Sequence, residues 1–302
     1  MIKLPTRLCA GVLLALLTVA TWAATVNDFP KAKIAVVGGT FINDALLKKP
    51  GLIKGHFTIK TKVGESPKIY YAETAAGIPF YYIHAHGEGK WLETWAALYD
   101  LGVRDAIGGA TAGGINPSMK LYDYVVPHDF IDLNIDRPLS MPQIVYHDPK
   151  SIPLPRYVPA MDPLLRDILI DETRKAVRGT HDYDDIQLHE QGVVVQARGG
   201  RFETVSEIRM FRQWGGDLVT MNVGSEMAYA RMIGINYAAL VAISNPAEGV
   251  GEWDWETIKK VYPRLNPLSL NIVLAAIPRI AAIGDQPRVG DGLRMHPEMT
   301  SE

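Results

Sequence analysis

Short apolar runs alternate with stretches of helical spacing along most of this chain. Lys33 to Val37 reads as a buried strand entering a Gly38-Gly39-Thr40 turn, and Phe80 to His84 as a second strand. Leu92, Trp95, Leu98 and Tyr99 recur at helical spacing within Leu92 to Leu101. Asp105 to Gly108 reads as a short strand followed by a loop of small residues, Gly109 to Ile115. Further strands are predicted at Val193–Gln196, Leu218–Met221 and Ala238–Ile243. Helices are predicted at Thr204–Trp214, Ser225–Ile233 and Asn266–Ile283, the last with Pro267 in its first turn, where a missing N–H costs little. This alternation argues for an α/β fold with a mostly parallel sheet.

The ends and the middle read differently. Met1 to Arg7 is short and basic, Leu8 to Ala20 is apolar, and Thr21-Trp22-Ala23 offers small residues for cleavage after Ala23. That is the pattern of a signal peptide over residues 1–23, which predicts an exported, periplasmic protein whose single domain runs over 24–302. Ile135 to Tyr157 is rich in proline and reads as a long loop, and the polar tail after Gly284 reads as loose.

Composition narrows the function. Lys+Arg 31 against Asp+Glu 33 gives a net charge of −2, so no charge excess points to nucleic acid or an anionic membrane. Cys9 is the only cysteine and falls in the leader, which excludes a disulfide framework and a cysteine-based zinc site. A small-molecule ligand is the partner that remains.

In open α/β sheets ligands bind beyond the carboxyl ends of strands. Four segments follow such ends: Gly38-Gly39-Thr40, the segment from His84 through His86 to Glu88, Thr111 to Gly114, and Asn245 to Glu248. Their glycines let backbone N–H groups approach an anion closely, although a plain tight turn accounts for Gly-Gly-Thr equally well. His84 and His86 alternate along an extended segment and face opposite sides, so they do not form one metal site. Glu203 and Glu207 lie at a helix start, where a carboxylate also serves simply to cap.

Taken together, several segments resemble the trimeric purine nucleoside phosphorylases and methylthioadenosine phosphorylases. Gly200 to Asp217 is similar to the family's central motif. Lys33 to Thr40, His86-Gly-Glu-Gly89, Ala112 to Pro117, Met221 to Glu226 and Ile243-Ser-Asn245 follow in the family's order and spacing. The resemblance implies a single α/β domain around a central twisted mixed sheet flanked by helices, assembled as a homotrimer. It also implies cleavage of the ribose–purine bond with phosphate as co-substrate and with no cofactor or metal.

Carried over residue by residue, the resemblance puts Phe202 on the purine face, Met221 under the ribose and Asn245 at N7 and O6 of the base. Glu203 then accepts from N1–H. A 6-oxopurine carries that hydrogen and adenine does not, so the base site looks like that of the inosine/guanosine branch. The methylthioadenosine branch has an aspartate where Asn245 stands, a second acid where this chain has Ala247, and no glutamate at position 203. At the phosphate end Thr40, His86 and Thr111 match the family. Its clamping arginine is missing, with His84 or Ala85 in that slot, and Asn222 replaces a Ser/Thr. Three readings stay open on the sequence: a phosphorylase of 6-oxopurine nucleosides, a nucleosidase using water in the altered phosphate site, and a purine-binding protein without turnover.

Overall fold

The computed structural model describes residues 25–84, 86, 89–134, 141, 154–178 and 181–293. The leader-like segment and most of the proline-rich stretch lie outside the described residues.

Thirteen strands are present among the described residues. They are β1 (Ile34–Gly38), β2 (Ile53–Phe57), β3 (Lys60–Thr61), β4 (Gly64–Glu65), β5 (Ile69–Glu73), β6 (Pro79–His84) and β7 (Asp105–Gly114), then β8 (Tyr124–Val125), β9 (Asp129–Asp132), β10 (Leu188–His189), β11 (Val193–Gln196), β12 (Leu218–Thr220) and β13 (Asn236–Pro246). The helices are α1 (Ala45–Lys48), α2 (Trp91–Asp100), α3 (Pro163–Arg178), α4 (Val205–Gln213), α5 (Val223–Met232) and α6 (Trp255–Ala281). Eleven strands form one mixed sheet, ordered β10-β8-β13-β7-β1-β6-β5-β2, with β12, β11 and β9 branching from β7. β3 and β4 make a separate small hairpin. β1, β7 and β13 are buried along nearly their whole length, and β1 and β13 read accordingly as apolar runs.

β7 is where the sheet divides. Its first residues, Asp105 to Ile107, pair in parallel with β1, and its last two, Gly113 and Gly114, pair antiparallel with β12. β13 runs beside it throughout, from Asn236 opposite Asp105 to Pro246 opposite Gly114. Between the point where β1 departs and the point where β12 joins, one edge of β7 has no strand partner. That gap is a topological switch point, and the cavity described below opens there.

Three expectations are corrected by this arrangement. The small-residue stretch Gly109 to Gly114 belongs to β7 and is not a loop, so Thr111 stands inside the strand. Its glycines are required because neighbours crowd the backbone: a Cβ on Gly109 would lie 2.3 Å from the Leu240 carbonyl oxygen. The last helix begins eleven residues earlier than its apolar spacing suggests, at Trp255, and contains Pro263, Pro267 and Pro278. Asp254 caps it by accepting from Thr257 N–H at 2.7 Å, and a buried row including Ile258, Val261 and Leu265 outweighs the lost backbone bonds.

The tail after Gly284 is tied down through residue 293. Arg288 is buried and donates to both carboxylate oxygens of Asp162, at 2.9 and 2.8 Å, and pairs with Asp105 at 2.9 Å. A buried guanidinium holding two aspartates anchors this segment under the amino end of β7.

Candidate active site

A cavity of about 540 Å³ opens at the switch point. Thr40, His86, Thr111, Phe202, Glu203, Met221, Asn222 and Asn245, which are far apart in sequence, all line it. His84 does not. Its Nδ1 lies 3.0 Å from the Tyr82 hydroxyl, two residues back on the same face of β6. Among the described residues, no three His, Cys, Asp or Glu side chains converge as a metal site.

At one end, the Gly-Gly-Thr turn after β1 meets the unpaired edge of β7. The Thr40 hydroxyl oxygen accepts from the backbone N–H and the hydroxyl of Thr111, both at 2.8 Å. The His86 ring packs directly over Gly39, where a Cβ would lie 2.2 Å from its Cε1. Any other residue at Gly39 would displace the ring.

Behind His86 lies a buried polar network that the sequence reading does not assign. His86 Nε2 is 2.8 Å from Glu226 Oε1, and Glu226 is fully buried. Asn222 Nδ2 donates to the same oxygen at 2.9 Å and to the Gly109 carbonyl at 3.0 Å. The Tyr237 hydroxyl donates to Glu226 Oε2 at 2.6 Å. Burial first, and then the neighbouring Glu226 charge, hold the Tyr237 phenol well above its ordinary pKa, so it stays a donor. Gly108 makes room for this pair: a Cβ there would stand 2.1 Å from the Tyr237 hydroxyl. Glu226 belongs to the segment that resembles the family, but nothing in a linear sequence pairs it with His86. Asn222, expected at the phosphate, spends its amide N–H groups on this network.

At the other end the segment Gly199 to Thr204 and the turn after β13 face each other. Phe202 forms an aromatic cluster with Trp253 and Trp255, with ring centroids 5.3 and 5.8 Å away. It keeps 41% of its surface exposed, and Met221 keeps 39%. Packing alone does not explain two large apolar groups left open to a cavity. Trp255, Ile258 and Tyr262 lie on one face of α6 and complete this wall.

Glu203 and Glu207 prove to have different jobs. Glu207 caps α4: its carboxylate accepts from Thr204 N–H at 2.7 Å and from Arg201 at 2.8 and 2.7 Å, and it is held down to about 2 by Arg201 foremost. Glu203 turns into the cavity, where burial raises its carboxyl above the ordinary value, with Glu207 and Glu248 adding to the shift and Arg201 opposing it.

Asn245 is placed by an irregularity in β13. The register slips between Ile243 and Asn245, which breaks the strand's alternation at its end. The Ser244 hydroxyl then donates to Asn245 Oδ1 at 2.8 Å, while Asn245 Nδ2 donates to the Pro246 carbonyl at 2.9 Å. The amide is thereby oriented before any ligand arrives. Arg198, Glu248, Ser244 and Tyr262 also line the cavity and were not singled out from the sequence. Only an arginine next to the central motif hinted at the first.

Known proteins share this architecture. The chain is 29% identical over 260 residues to the 6-oxopurine nucleoside phosphorylase of Pyrococcus furiosus, covering 82% of this chain and 93% of that protein. It is 31% identical over 228 residues to a probable S-methyl-5′-thioinosine phosphorylase of Methanothermobacter thermautotrophicus, covering 72% of each. The crystal structure of a methylthioadenosine phosphorylase from an antarctic soil metagenomic library shares the fold, with a TM-score of 0.74 at 21% identity over 89% of this chain and 96% of that one. The family model described as Phosphorylase superfamily matches residues 82–278, from β6 through most of α6. With the ordered motifs, the divided sheet and the cavity at its switch point all in agreement, the chain belongs to the phosphorylase superfamily and is an enzyme of its pentosyltransferase kind.

Proposed function

We propose that the enzyme cleaves the N-glycosidic bond of 6-oxopurine nucleosides, such as inosine and guanosine, with phosphate as nucleophile. The observation that carries this reading is the meeting of Glu203, Asn245 and Phe202 with Thr40, Thr111 and His86 around one cavity. The base lies against Phe202, with N1–H donating to Glu203 and with O6 and N7 toward the Asn245 amide. Met221 packs under the ribose. A phosphate oxygen bonds to C1′ on the face opposite the base, and the C1′–N9 electron pair leaves with the purine. Ribose 1-phosphate and the base, protonated from solvent, are the products.

Charge develops on the departing purine and on the sugar, so groups already oriented toward them lower the barrier. Asn245, fixed by Ser244, is such a group at the base. His86, fixed by Glu226, is its counterpart at the anion. No cofactor takes part, and assembly as a homotrimer belongs to the same reading.

One observation favours a second reading, hydrolysis. Among the described residues lining the cavity, Arg198 is the single Lys or Arg, and none stands in the segments that carry Thr40, His86 and Thr111. An anion end without a guanidinium binds phosphate less firmly and leaves room for water.

Base release from inosine and guanosine, followed with and without phosphate, separates the two. Phosphate-dependent release with ribose 1-phosphate supports the phosphorylase. Free ribose at an unchanged rate without phosphate replaces it with the nucleosidase, and a purine that binds but is never released as product overturns both.

A further inference from the structure

A second cavity, of about 600 Å³, lies between the stretch Asn43 to Lys49 and the middle of α6. Tyr262 lines both it and the catalytic cavity, so one side chain stands between the two. Trp255, Ile258 and Tyr262 follow α6 away from the base end. Asn266 comes one turn further on the same face, about 6 Å along the axis. The opposite wall follows directly on the Thr40 turn and is held in place. The Asn43 N–H donates to the Gly39 carbonyl at 2.7 Å, and the Tyr82 hydroxyl donates to the Asn43 carbonyl at 2.7 Å. Asn43 itself takes φ +46°, a conformation asparagine adopts more readily than most residues.

Asn266 marks this cavity as one that receives a polar group. Only 6% of the residue is exposed, yet its Oδ1 has no hydrogen-bond partner among the described residues. Leaving a buried acceptor unpaired is costly, and packing alone is served better by a leucine of similar shape. On the same face of α6 the Pro263 carbonyl also lacks its helical donor, because Pro267 has no N–H. A ligand here therefore brings hydrogen-bond donors. Its charge is constrained as well. Lys48 pairs with Asp44 at 2.6 Å, and Lys49 adds a further positive charge to the wall, which disfavours an ammonium group. Between the two cavities the path runs over Ile258, Tyr262 and Pro263, so the connecting part of the ligand is apolar.

Resting on the phosphorolysis reading above, we propose that the second cavity is a subsite for a substituent on the 5′ carbon of the nucleoside, and that it takes an uncharged chain ending in a hydroxyl group. In that reading the base lies at Phe202 and the anion at Thr40, which leaves the 5′ carbon to the α6 wall. The chain crosses Tyr262 and its hydroxyl donates to Asn266 Oδ1. The bond that breaks and the attack of phosphate are unchanged. Asn266 is thus a specificity-determining residue that touches no reacting atom.

The test uses two inosine derivatives of equal length, 5′-deoxy-5′-pentylthioinosine and 5′-deoxy-5′-hydroxybutylthioinosine, which differ only in a terminal methyl or hydroxyl. At saturating phosphate the parent enzyme is expected to favour the hydroxyl compound in kcat/KM by about fivefold to tenfold, the worth of one repaired buried hydrogen bond. An apolar wall alone gives the opposite order. In Asn266→Leu the preference is expected to reverse, while kcat/KM for inosine stays within about twofold of the parent value. Leucine leaves no unpaired polar atom, so this variant is expected to melt no lower than the parent. Equal rates for the two derivatives in the parent, a preference for the pentylthio compound, or an unchanged preference in Asn266→Leu overturns the proposal. Refusal of both derivatives by an enzyme that cleaves inosine overturns it too. Calorimetric titration of the parent with each derivative, without phosphate, reads the same difference and needs no variant. Tighter binding of the hydroxyl compound is the expected result, and equal binding overturns the proposal. Failure to form ribose 1-phosphate from inosine is a different failure, that of the phosphorolysis reading.

Discussion

His86 and Glu226, 140 residues apart in the chain, meet at 2.8 Å between Nε2 and Oε1. The contact fixes which imidazole nitrogen carries hydrogen: Nε2 donates to the carboxylate, and Nδ1 is left on the side of Gly39 and the anion end. Glu226 in turn is oriented by Tyr237 and Asn222, so the ring is held through three side chains at once.

Glu226→Gln keeps the shape but removes the charge that orients His86. We expect kcat to fall by about tenfold to a hundredfold, which corresponds to roughly 1.4 to 2.8 kcal/mol of transition-state stabilisation. Tyr237→Phe leaves one carboxylate oxygen buried without a donor and is expected to cost about 1–3 kcal/mol of stability. Steady-state kinetics with phosphate varied, alongside urea melts, check both. Parent-like kinetics in Glu226→Gln would show that His86 needs no such holding.

Asn245→Ala removes the amide poised for the leaving base. Loss of about a hundredfold to a thousandfold in kcat is expected, as for other preorganised donors at developing charge. Ser244→Ala frees the amide to rotate and is expected to have a smaller effect in the same direction, about tenfold. A Ser244→Ala loss as large as that of Asn245→Ala would mean the hydroxyl itself meets the substrate.

The cap on α4 carries a pH signature. Glu207 is held at about 2, against an ordinary value of 4.5, mainly by Arg201 and also by Thr204 N–H. A depressed acid contributes stability above its unfolded value and loses it as pH falls through the window between the two. Glu207→Gln is therefore expected to be less stable than the parent at neutral pH and to converge with it by about pH 2. Thermal melts of both proteins across that range decide the matter.

Arg288 pairs with Asp162 and Asp105 in a place water does not reach. Arg288→Met strands two buried carboxyl groups and is expected to destabilise by about 3–5 kcal/mol. Part of that loss should be recovered at acid pH. Burial already raises the Asp105 carboxyl above its ordinary value even with Arg288 present, and removing the cation lets it protonate more readily. A variant that melts like the parent at neutral pH would mean the tail contributes little to holding the fold.

The apolar runs at β1, β6, β11, β12 and β13 and the spacing of α2, α4 and α5 were legible because each pattern is local. Side chains alternating or recurring at helical period must face one core, and neighbours in sequence record that requirement. β7 was legible only in part. Its glycines look like loop residues in isolation, and the reason they stand in a strand is the closeness of Leu240, Tyr237 and Glu226, which are remote in sequence. The extra turns of α6 were hidden for a similar reason: proline signals a break locally, and only burial against the sheet overrides it.

By itself, then, the amino-acid order determined the α/β class, the ordered motifs and eight residues that come to surround one cavity, since those features reside in short segments. The tertiary structure alone turned His84 toward Tyr82, divided Glu203 from Glu207, set Glu226 behind His86 and brought Glu248 to the cavity that Glu203 lines. Those outcomes depend on which strand crosses next to which, on the slip in β13 that re-aims Asn245, and on the space left by Gly39, Gly108 and Gly249. Hydrogen bonds and ion pairs act over a few ångströms, and chain order does not encode which distant groups the sheet will bring within that reach.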